Sequence, residues 1–385
     1  MSHANSLSTK SLKFSKNYEP SQSALMKFPL IADNALELIP DKVFCKLNSF
    51  LSLKANLFLK IEGFNPAGSI KIKPAIRMLE ALEEKGLISP DYSHIVESSS
   101  GNLGVAVSIA CSIKGYSFTC ISDPNISSRN EHYIKLFGGE LVIVKNKDKN
   151  GGFLNSRINL IRRLIEDNDN FFWLNQYANC ENKNAHYLTT APSIFESFPE
   201  LDYLFVGAGT TGTLMGCAQY IRDNNLKTKL IAVDPVGSVT FDYPPSKRYI
   251  PGLGTSRKPE LVNKSLIDDL VLVKEEETIK MCRELLRQKT LLVGGSTGTV
   301  LAGINAYAHK LDTATNIVAI SPDLGDRYLK TIYNDRWVSE RFPTCLESIT
   351  KKFFRKSKCD RSRFFLRNQT NIEIESEHFS LITMN

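Results

Sequence analysis

The chain has 385 residues, of which 42% are hydrophobic and 23% are charged. This composition is typical of a globular protein with room for two domains, and it excludes a small disulfide scaffold, a collagen and a disordered tail. The longest apolar stretches are far shorter than the roughly 20 residues that cross a bilayer, so the sequence predicts no membrane span.

The net charge of +7 is local rather than global. Residues 351–367 contain eight Lys or Arg and one Asp, a surplus of seven that equals the charge of the whole chain. We therefore expect no nucleic-acid partner, and we interpret residues 341–385 as a basic appendage. Such a run is usually a solvated tail and less often an anchoring or partner-binding segment.

The beginning of the chain and its cysteines indicate a cytoplasmic protein. Residues 1–20 are polar and lack the apolar stretch of a secretory signal, so residues 1–24 are interpreted as a flexible arm. The eight cysteines are scattered, without a C-x-x-C pair or a histidine at zinc-ligand spacing. We expect free thiols and no metal site.

In chain order, short apolar segments alternate with stretches long enough to form helices. This alternation predicts an α/β fold with two doubly wound lobes built on mainly parallel sheets. Ligands of such folds bind beyond the carboxyl ends of the strands, so the loops there are the candidate sites. The predicted strands are 94–96, 117–121, 141–144, 203–206, 229–233 and 316–320, and the predicted helices are 73–85, 103–114, 213–223 and 300–310.

The first candidate loop is Asn-Pro-Ala-Gly-Ser-Ile-Lys, residues 65–71. Ser69 is predicted to cap the following helix, which would put Lys71 in the first helical turn. There the helix dipole and lost solvation both lower the pKa of an amine and favour a nucleophile. The alternative is an ordinary surface lysine, with Lys60 and Lys73 as competitors for the role.

The second loop is Ser-Ser-Ser-Gly-Asn, residues 98–102, between a strand and a helix. Its hydroxyls and amide groups suit a carboxylate, and Asn102 has a further donor to offer. The alternative is a helix cap with spare serines.

The third loop, Gly-Ala-Gly-Thr-Thr-Gly, residues 207–212, also opens a helix. Small residues and hydroxyls at a helix start favour a phosphate monoester. The same residues match G-x-G-x-x-G, and Asp234 stands where a ribose-binding acid would, so a nicotinamide dehydrogenase is an open alternative. Tight packing without a ligand is another.

The fourth loop comprises residues 293–298. The hydroxyl of Ser296 in this loop suits a heterocycle nitrogen. The alternative is a plain Gly-Ser turn.

Together and in this order, the four loops resemble the tryptophan-synthase-β-like (fold type II) group of pyridoxal-phosphate enzymes, which includes cysteine synthase and cystathionine β-synthase. The likeness covers about residues 28–337, and 250–254 and 323–328 also resemble motifs of the group. It implies a homodimer with a cofactor cleft between two lobes. The implied cofactor residues are Lys71 as the Schiff-base lysine, Asn102 at the 3′-oxygen, Gly209, Thr210, Thr211, Gly212 and Thr213 at the phosphate, and Ser296 at the pyridine nitrogen.

Two departures from a plain cysteine synthase are visible. Just after the second loop, Leu103 stands where cysteine synthases usually have a threonine that helps to grip the substrate carboxylate. In the third loop, Thr211 stands where they usually have a glycine. The pattern is more similar to the siderophore-pathway branch, N-(2-amino-2-carboxyethyl)-L-glutamate synthase, which joins O-phospho-L-serine to L-glutamate and leads to 2,3-diaminopropionate. The substrate residues implied are Arg157, Tyr177 and Thr210 for phosphoserine, and Ser99, Ser100, Gly101 and Gln176 for the substrate carboxylate.

Several alternatives stay open. Arg157 could lie on a solvated helix face, and the enzyme could be a cysteine synthase, a cystathionine β-synthase-type enzyme or a catalytically silent amino-acid sensor. The resemblance implies a catalytic region over 25–340, with a larger lobe formed by 25–75 and 176–340. The smaller lobe, 76–175, is expected to close over the bound amino acid and exclude water.

Overall fold

The computed structural model describes residues 31–345 except 48, 52, 149 and 150. The arm predicted at 1–24 and most of the appendage predicted at 341–385 lie outside the described residues. The strands are β1 Phe44–Lys46, β2 Asn56–Ile61, β3 His94–Ser98, β4 Ser117–Ser122, β5 Glu140–Ile143, β6 Phe171–Trp173, β7 Tyr203–Gly207, β8 Lys229–Pro235, β9 Asp269–Val273 and β10 Asn316–Ser321. The helices are α1 Ile72–Glu84, α2 Asn102–Lys114, α3 Ser128–Leu136, α4 Leu154–Asp167, α5 Cys180–Ala185, α6 Ala191–Ser197, α7 Gly212–Asp223, α8 Glu275–Lys289, α9 Gly295–Tyr307 and α10 Asp335–Arg341.

The larger sheet has six strands in the order β1-β2-β10-β7-β8-β9. β1 pairs antiparallel with β2, and the remaining pairs are parallel. Its central strands are apolar on both faces and covered by helices, as Leu204 and Phe205 of β7 illustrate: they belong to two different buried clusters.

The smaller sheet has four parallel strands in the order β5-β4-β3-β6. Its main core lies under α2 and includes Ile95, Phe118 and Ile134. The apolar face of α1 contributes Ile72 and Met78 to the same core. The prediction of an α/β fold with mainly parallel sheets is confirmed, whereas the residue bounds of the lobes stay a prediction.

Two local expectations are changed by tertiary contacts. Ser69 does not cap α1: its hydroxyl is buried with no hydrogen-bond partner in the described part of the chain, and Lys71 is itself the N-cap residue. The cause is a bridge between Ser69 and Asp323, which holds this turn against the larger sheet. In addition, α9 begins at Gly295, so Ser296 lies in a helical turn rather than in a loop.

Parallel register brings the candidate loops to one edge. β2, β10 and β7 are neighbours that run in the same direction, so the segments after Ile61, Ser321 and Gly207 leave the sheet side by side. The loop after β3 joins them from the smaller sheet.

The described part of the chain contains no helix that is both long and apolar enough to cross a membrane. That part contains seven of the eight cysteines, and Cys359 lies outside it. Cys111, Cys120 and Cys217 are free thiols that are buried in apolar surroundings, as expected.

Asp234, at the end of β8, is a buried carboxyl group whose ionisation affects the stability of the fold. The side chain is 0% exposed, and neither oxygen forms a hydrogen bond with a described residue. Burial raises the pKa of this carboxyl to about 7, although the nearby Ser238 hydroxyl and the charge of Arg248 oppose the rise. Because the unfolded chain ionises near pH 4, Asp234 costs stability that grows as the pH rises from about 4 to 7.

We expect Asp234→Asn to be more stable than the wild type at pH 8, by about 1 to 3 kcal/mol, with the difference shrinking toward pH 4. Urea unfolding at several pH values measures it. Asp242→Asn is the control of opposite sign, since Lys264 and Lys258 lower the pKa of Asp242 and this stabilising effect is lost in the variant above pH 4. Equal pH dependence of Asp234→Asn and wild type would contradict the assignment.

Candidate active site

Lys71 lies where the larger sheet meets α1. The amide of Ile70 donates to the carbonyl of Pro322 at 2.7 Å, which fixes the turn beside the end of β10. The described residues contribute no ion pair or hydrogen bond to the Lys71 amine. Burial lowers its pKa to about 8, and the negative charge of Asp323 opposes this shift. A substantial neutral fraction near physiological pH makes this amine a potential nucleophile and base.

The two competing lysines are already paired. Lys60 lies 3.2 Å from Glu62, and Lys73 lies 2.9 Å from the same carboxylate. Both ammonium groups also contact Asp41. A lysine held in buried ion pairs is not available as a nucleophile, so the geometry favours Lys71.

Asn102 is the first residue of α2 and reaches across to the larger sheet. Its Nδ2 donates to Asp323 Oδ2 at 2.8 Å, and Arg327 donates to its Oδ1. Asp323 also accepts from Tyr328 at 2.7 Å. Since Asp323 acts on the pKa of Lys71, this contact places Asn102 in the surroundings of the lysine.

The serine loop before α2 combines a cap with open space. The Ser99 hydroxyl accepts from the amides of Gly101 and Gly104, at 3.2 and 3.1 Å, so the capping alternative is correct for this residue. Ser100 is half-buried, and a Cβ on Gly101 would meet no described atom within 4 Å. The space beside Gly101 is therefore open to a ligand.

The threonine-rich turn before α7 has two unusual features. Thr211 has φ +67°, a left-handed conformation that a β-branched residue rarely adopts. Its hydroxyl is buried, and no described residue forms a hydrogen bond with it. The neighbouring Thr210 hydroxyl accepts from Asn182 at 3.1 Å, and Thr213 contacts His186 at 3.1 Å. Strain, an unsatisfied hydroxyl and the positive end of α7 together favour an anion.

Gly252 connects this turn to Ser296. A Cβ on Gly209 would approach the Gly252 carbonyl to 3.1 Å, and a Cβ on Gly252 would lie 2.5 Å from Ser296 Oγ. The same position is 3.6 Å from the Tyr328 hydroxyl, which binds Asp323. Ser296, the threonine turn and Asp323 are therefore close neighbours around Gly252, and Gly212 belongs to the same region as the first residue of α7.

Arg157 does not lie on a solvated helix face: it is 7% exposed. Its Nε forms an ion pair with Asp123 Oδ2 at 3.4 Å and has no hydrogen bond to the described residues. Burial raises the pKa of the Tyr177 phenol, and the charge of Arg157 opposes that rise. Arg157 is thus a buried cation whose charge acts on the Tyr177 phenol.

Gln176 is also buried, but its side chain is partly committed. Nε2 donates to the Ser98 carbonyl at 2.9 Å, and the backbone amide of Gln176 is 3.3 Å from Glu97. The Gln176 side-chain amide therefore has one N–H left for a ligand.

The dehydrogenase alternative is wrong in its key residue. Asp234 is completely buried, so no ribose hydroxyl reaches it. G-x-G-x-x-G at a strand–helix turn is shared by several phosphate sites, and only burial shows that the acid faces the core.

Sequence reasoning missed the residues that support the threonine turn. Asn182 donates to both the Gln176 carbonyl, at 2.6 Å, and Thr210. His186, four residues later, is buried beside Thr213. The four-residue spacing puts both on one helical face and was the available signal. Asp323 and Tyr328 were noticed in a motif, but nothing in the sequence showed that Asp323 binds both Asn102 and Tyr328.

Comparison with solved structures gives close architectural matches. O-ureido-L-serine synthase matches with a TM-score of 0.72 and 29% identity, covering 80% of this chain and 99% of that chain. A lysine-to-alanine mutant of O-ureido-L-serine synthase, bound to O-ureido-L-serine, gives 0.72 and 27%, over 83% and 99%. A hydrogen sulfide-producing enzyme from Fusobacterium nucleatum gives 0.73 and 27%, over 78% and 100%.

A family model described as "Pyridoxal-phosphate dependent enzyme" matches residues 44–323, which include the loops that meet at the strand ends. The match spans most of the chain and confirms both the resemblance and the expected cofactor. The protein is therefore a member of the pyridoxal-phosphate dependent enzyme family and uses that cofactor.

Proposed function

We propose that this enzyme performs β-replacement on a serine-derived amino acid, joining O-phospho-L-serine to L-glutamate to form N-(2-amino-2-carboxyethyl)-L-glutamate and phosphate. The buried cation of Arg157, whose charge acts on the Tyr177 phenol, is the observation that carries the choice of an anionic substrate. A product of this type would serve 2,3-diaminopropionate and siderophore biosynthesis.

The residues gathered around Gly252 would suit pyridoxal phosphate. The threonine turn at α7 offers hydroxyls at Thr210, Thr211 and Thr213 to its phosphate, and the orphaned Thr211 hydroxyl has no other described partner. Lys71 is the amine for its aldehyde, Asn102 is the donor for its ring oxygen, and Ser296 is the hydroxyl for its ring nitrogen. These are the roles that the sequence predicts.

When bound, pyridoxal phosphate supplies an electron sink that stabilises negative charge at the substrate Cα. The neutral Lys71 amine takes the proton from Cα and later returns it. Loss of that proton lets the β-substituent leave as phosphate, and the amine of glutamate then forms the new bond at Cβ. The neutral hydroxyl of Ser296 leaves the ring nitrogen largely unprotonated, which favours loss of the β-group over transamination.

Charge decides which β-group suits the site. A phosphate leaving group requires a fixed cation, and the planar guanidinium of Arg157 can donate to two of its oxygens. The hydroxyls of Tyr177 and Thr210 are the further donors proposed for it. Ser99, Ser100, Gly101 and Gln176 are proposed for the substrate carboxylate, with Ser99 acting chiefly through its cap on α2.

The smaller lobe is proposed to close over the substrate. Contacts already join the two sheets at this place, since Arg129 of α3 donates to the Asp326 carbonyl at 3.0 Å and Asn102 binds Asp323. These contacts hold the carboxylate loop above the larger sheet and would keep water from the reacting atoms.

A second candidate is sulfur transfer, as in a cysteine synthase or a cystathionine β-synthase-type enzyme. The similarity to a hydrogen sulfide-producing enzyme favours it. O-ureido-L-serine synthase, the other neighbour, is named for a product that is neither a thiol nor a glutamate adduct. The neighbours therefore support chemistry on a serine-derived amino acid and leave the nucleophile to experiment.

The deciding experiment incubates the purified holoenzyme with O-phosphoserine plus either glutamate or sulfide, and follows phosphate release and product mass. We expect rapid release with glutamate and a product that carries the glutamate amine at Cβ. Turnover with sulfide but not with glutamate would show a cysteine synthase instead.

Arg157→Lys tests the anion site. We expect kcat/KM for O-phosphoserine to fall about 100-fold, because a lysine cannot reproduce the two-pronged contact, with a smaller change for the neutral leaving group of O-acetylserine. The double variant Arg157→Met, Asp123→Asn controls for a stranded buried charge. An equal fall in kcat/KM with both substrates would show that Arg157 does not recognise the phosphate.

The pKa of Lys71 predicts the pH dependence of cofactor attachment. Because only the neutral amine reacts, the rate of attachment to the cofactor-free protein should rise about tenfold per pH unit below 8 and level off above it. Borohydride fixation and absorbance measure the attached fraction. Lys71→Ala should abolish it, while Lys73→Arg should not; a rate independent of pH between 6 and 9 would refute the assignment.

A substitution at Gly252 tests whether the site tolerates a side chain beside Ser296. In Gly252→Ala the new methyl group would lie 2.5 Å from Ser296 Oγ at a φ of +111°, so we expect at least about tenfold weaker cofactor binding. Gly86→Ala is the matched control, since its φ is also positive, +64°, but nothing lies within 4 Å. Fluorescence titration compares them, and equal affinities would show that Gly252 does not shape the site.

A further inference from the structure

A buried chain of polar groups runs from α1 to the threonine turn. Lys73 Nζ donates to Thr190 Oγ1 at 3.2 Å, Thr190 Oγ1 lies 3.0 Å from His186 Nδ1, and His186 Nε2 lies 3.1 Å from Thr213 Oγ1. Lys73, Thr190 and His186 are each at most 5% exposed. Bulk water therefore does not decide the direction of these hydrogen bonds.

The local backbone creates this chain. A π-helical turn, His186–Thr190, joins α5 to α6, and its closing bond runs from the amide of Ala191 to the carbonyl of His186. π-helical turns occur often at functional sites because they rotate side chains out of the ordinary helical order. Here the π-helical turn directs His186 and Thr190 toward each other, so that they lie between Lys73 and the threonine turn.

The chemistry of each group determines which atom donates and which accepts in each hydrogen bond. An ammonium has donors and no acceptor, so Thr190 Oγ1 must accept from Lys73. Among the described residues, His186 Nδ1 is the acceptor within reach of the single Thr190 hydroxyl hydrogen, so that hydrogen is assigned to it. A neutral imidazole that accepts at Nδ1 carries its hydrogen on Nε2 and donates it to Thr213.

Thr213 completes the sequence. Because its oxygen accepts from His186, its own hydrogen is left for a partner in the turn. The oxygens of a phosphate monoester dianion accept hydrogen bonds and donate none, so only this orientation is attractive. The opposite tautomer of His186 would take the Thr213 hydrogen and turn lone pairs toward the anion.

His186 is held neutral by its surroundings. Burial lowers its pKa well below the usual value, and the charges of Lys73, Lys71 and Lys60 lower it further. The carboxylates of Glu62 and Asp41 face Lys73 and keep it charged, since Lys73 contacts both and its pKa is raised despite burial.

We propose that Lys73, Thr190 and His186 are positioning residues that fix His186 as its Nε2–H tautomer and thereby make the Thr213 hydroxyl a donor to the cofactor phosphate. This inference rests on the proposed role of the threonine turn in holding that phosphate. It gives the buried Lys73 a function besides pairing with Glu62.

Nitrogen-15 NMR of histidine-labelled, cofactor-free protein tests the tautomer directly, with the His186 signals assigned by loss in His186→Gln. We expect a neutral ring with hydrogen on Nε2 at pH 7. A neutral ring with hydrogen on Nδ1, or an imidazolium, would overturn the proposal. The measurement needs no cofactor, so its outcome is independent of whether the proposed reaction is correct.

The second test compares binding of pyridoxal phosphate with binding of pyridoxal, which lacks the phosphate. Thr190→Val should weaken the first about tenfold and leave the second unchanged, since one hydrogen bond to a charged group is at stake. Thr190→Ser should restore wild-type affinity, and Thr190→Val should have no further effect in a Thr213→Val background.

Other outcomes count against the proposal. Equal weakening for both ligands would mean that Thr190 only supports the fold, and unchanged affinity for pyridoxal phosphate would mean that the proton order has no effect on the turn. If the wild-type protein binds neither ligand, the proposed function fails along with the phosphate role, while the NMR result still reports the tautomer.

Discussion

The site depends on the parallel pairing of β2, β10 and β7. That register places the turn before Lys71 against the end of β10, where the Ile70 amide binds the Pro322 carbonyl and Ser69 bridges Asp323. The lysine amine is thereby buried without receiving a counter-ion from the described residues. Its lowered pKa follows from this placement.

The surrounding charges separate the roles of three neighbouring lysines. Lys60 and Lys73 share the buried Glu62, whereas the described residues give Lys71 no ion pair. Removing one partner of a buried ion pair is costly, so the two paired lysines stay charged and do not serve as the nucleophile. The unpaired one keeps the reactivity that covalent attachment of an aldehyde requires.

The threonine turn has local features that are unfavourable for folding and suited to binding. A left-handed Thr211 and an unsatisfied buried hydroxyl are unfavourable in the protein alone, by a few kcal/mol at most. The surrounding contacts of Asn182 and His186 keep the turn in place. An anion at the helix start would offset both costs, which is the physical reason to regard the turn as a binding site.

The sequence by itself determined the alternation of strands and helices, the loops at strand ends and the resemblance that identified the cofactor, because apolar periodicity and short glycine-rich turns are local properties. Only tertiary structure showed that Ser69 bridges Asp323 instead of capping α1, that Arg157 and Asp234 are buried, and that Asn182 and His186 support the threonine turn. These outcomes depend on which distant segments pack together: burial and hydrogen-bond partners come from contacts across the sheets, and residue spacing along the chain does not contain them.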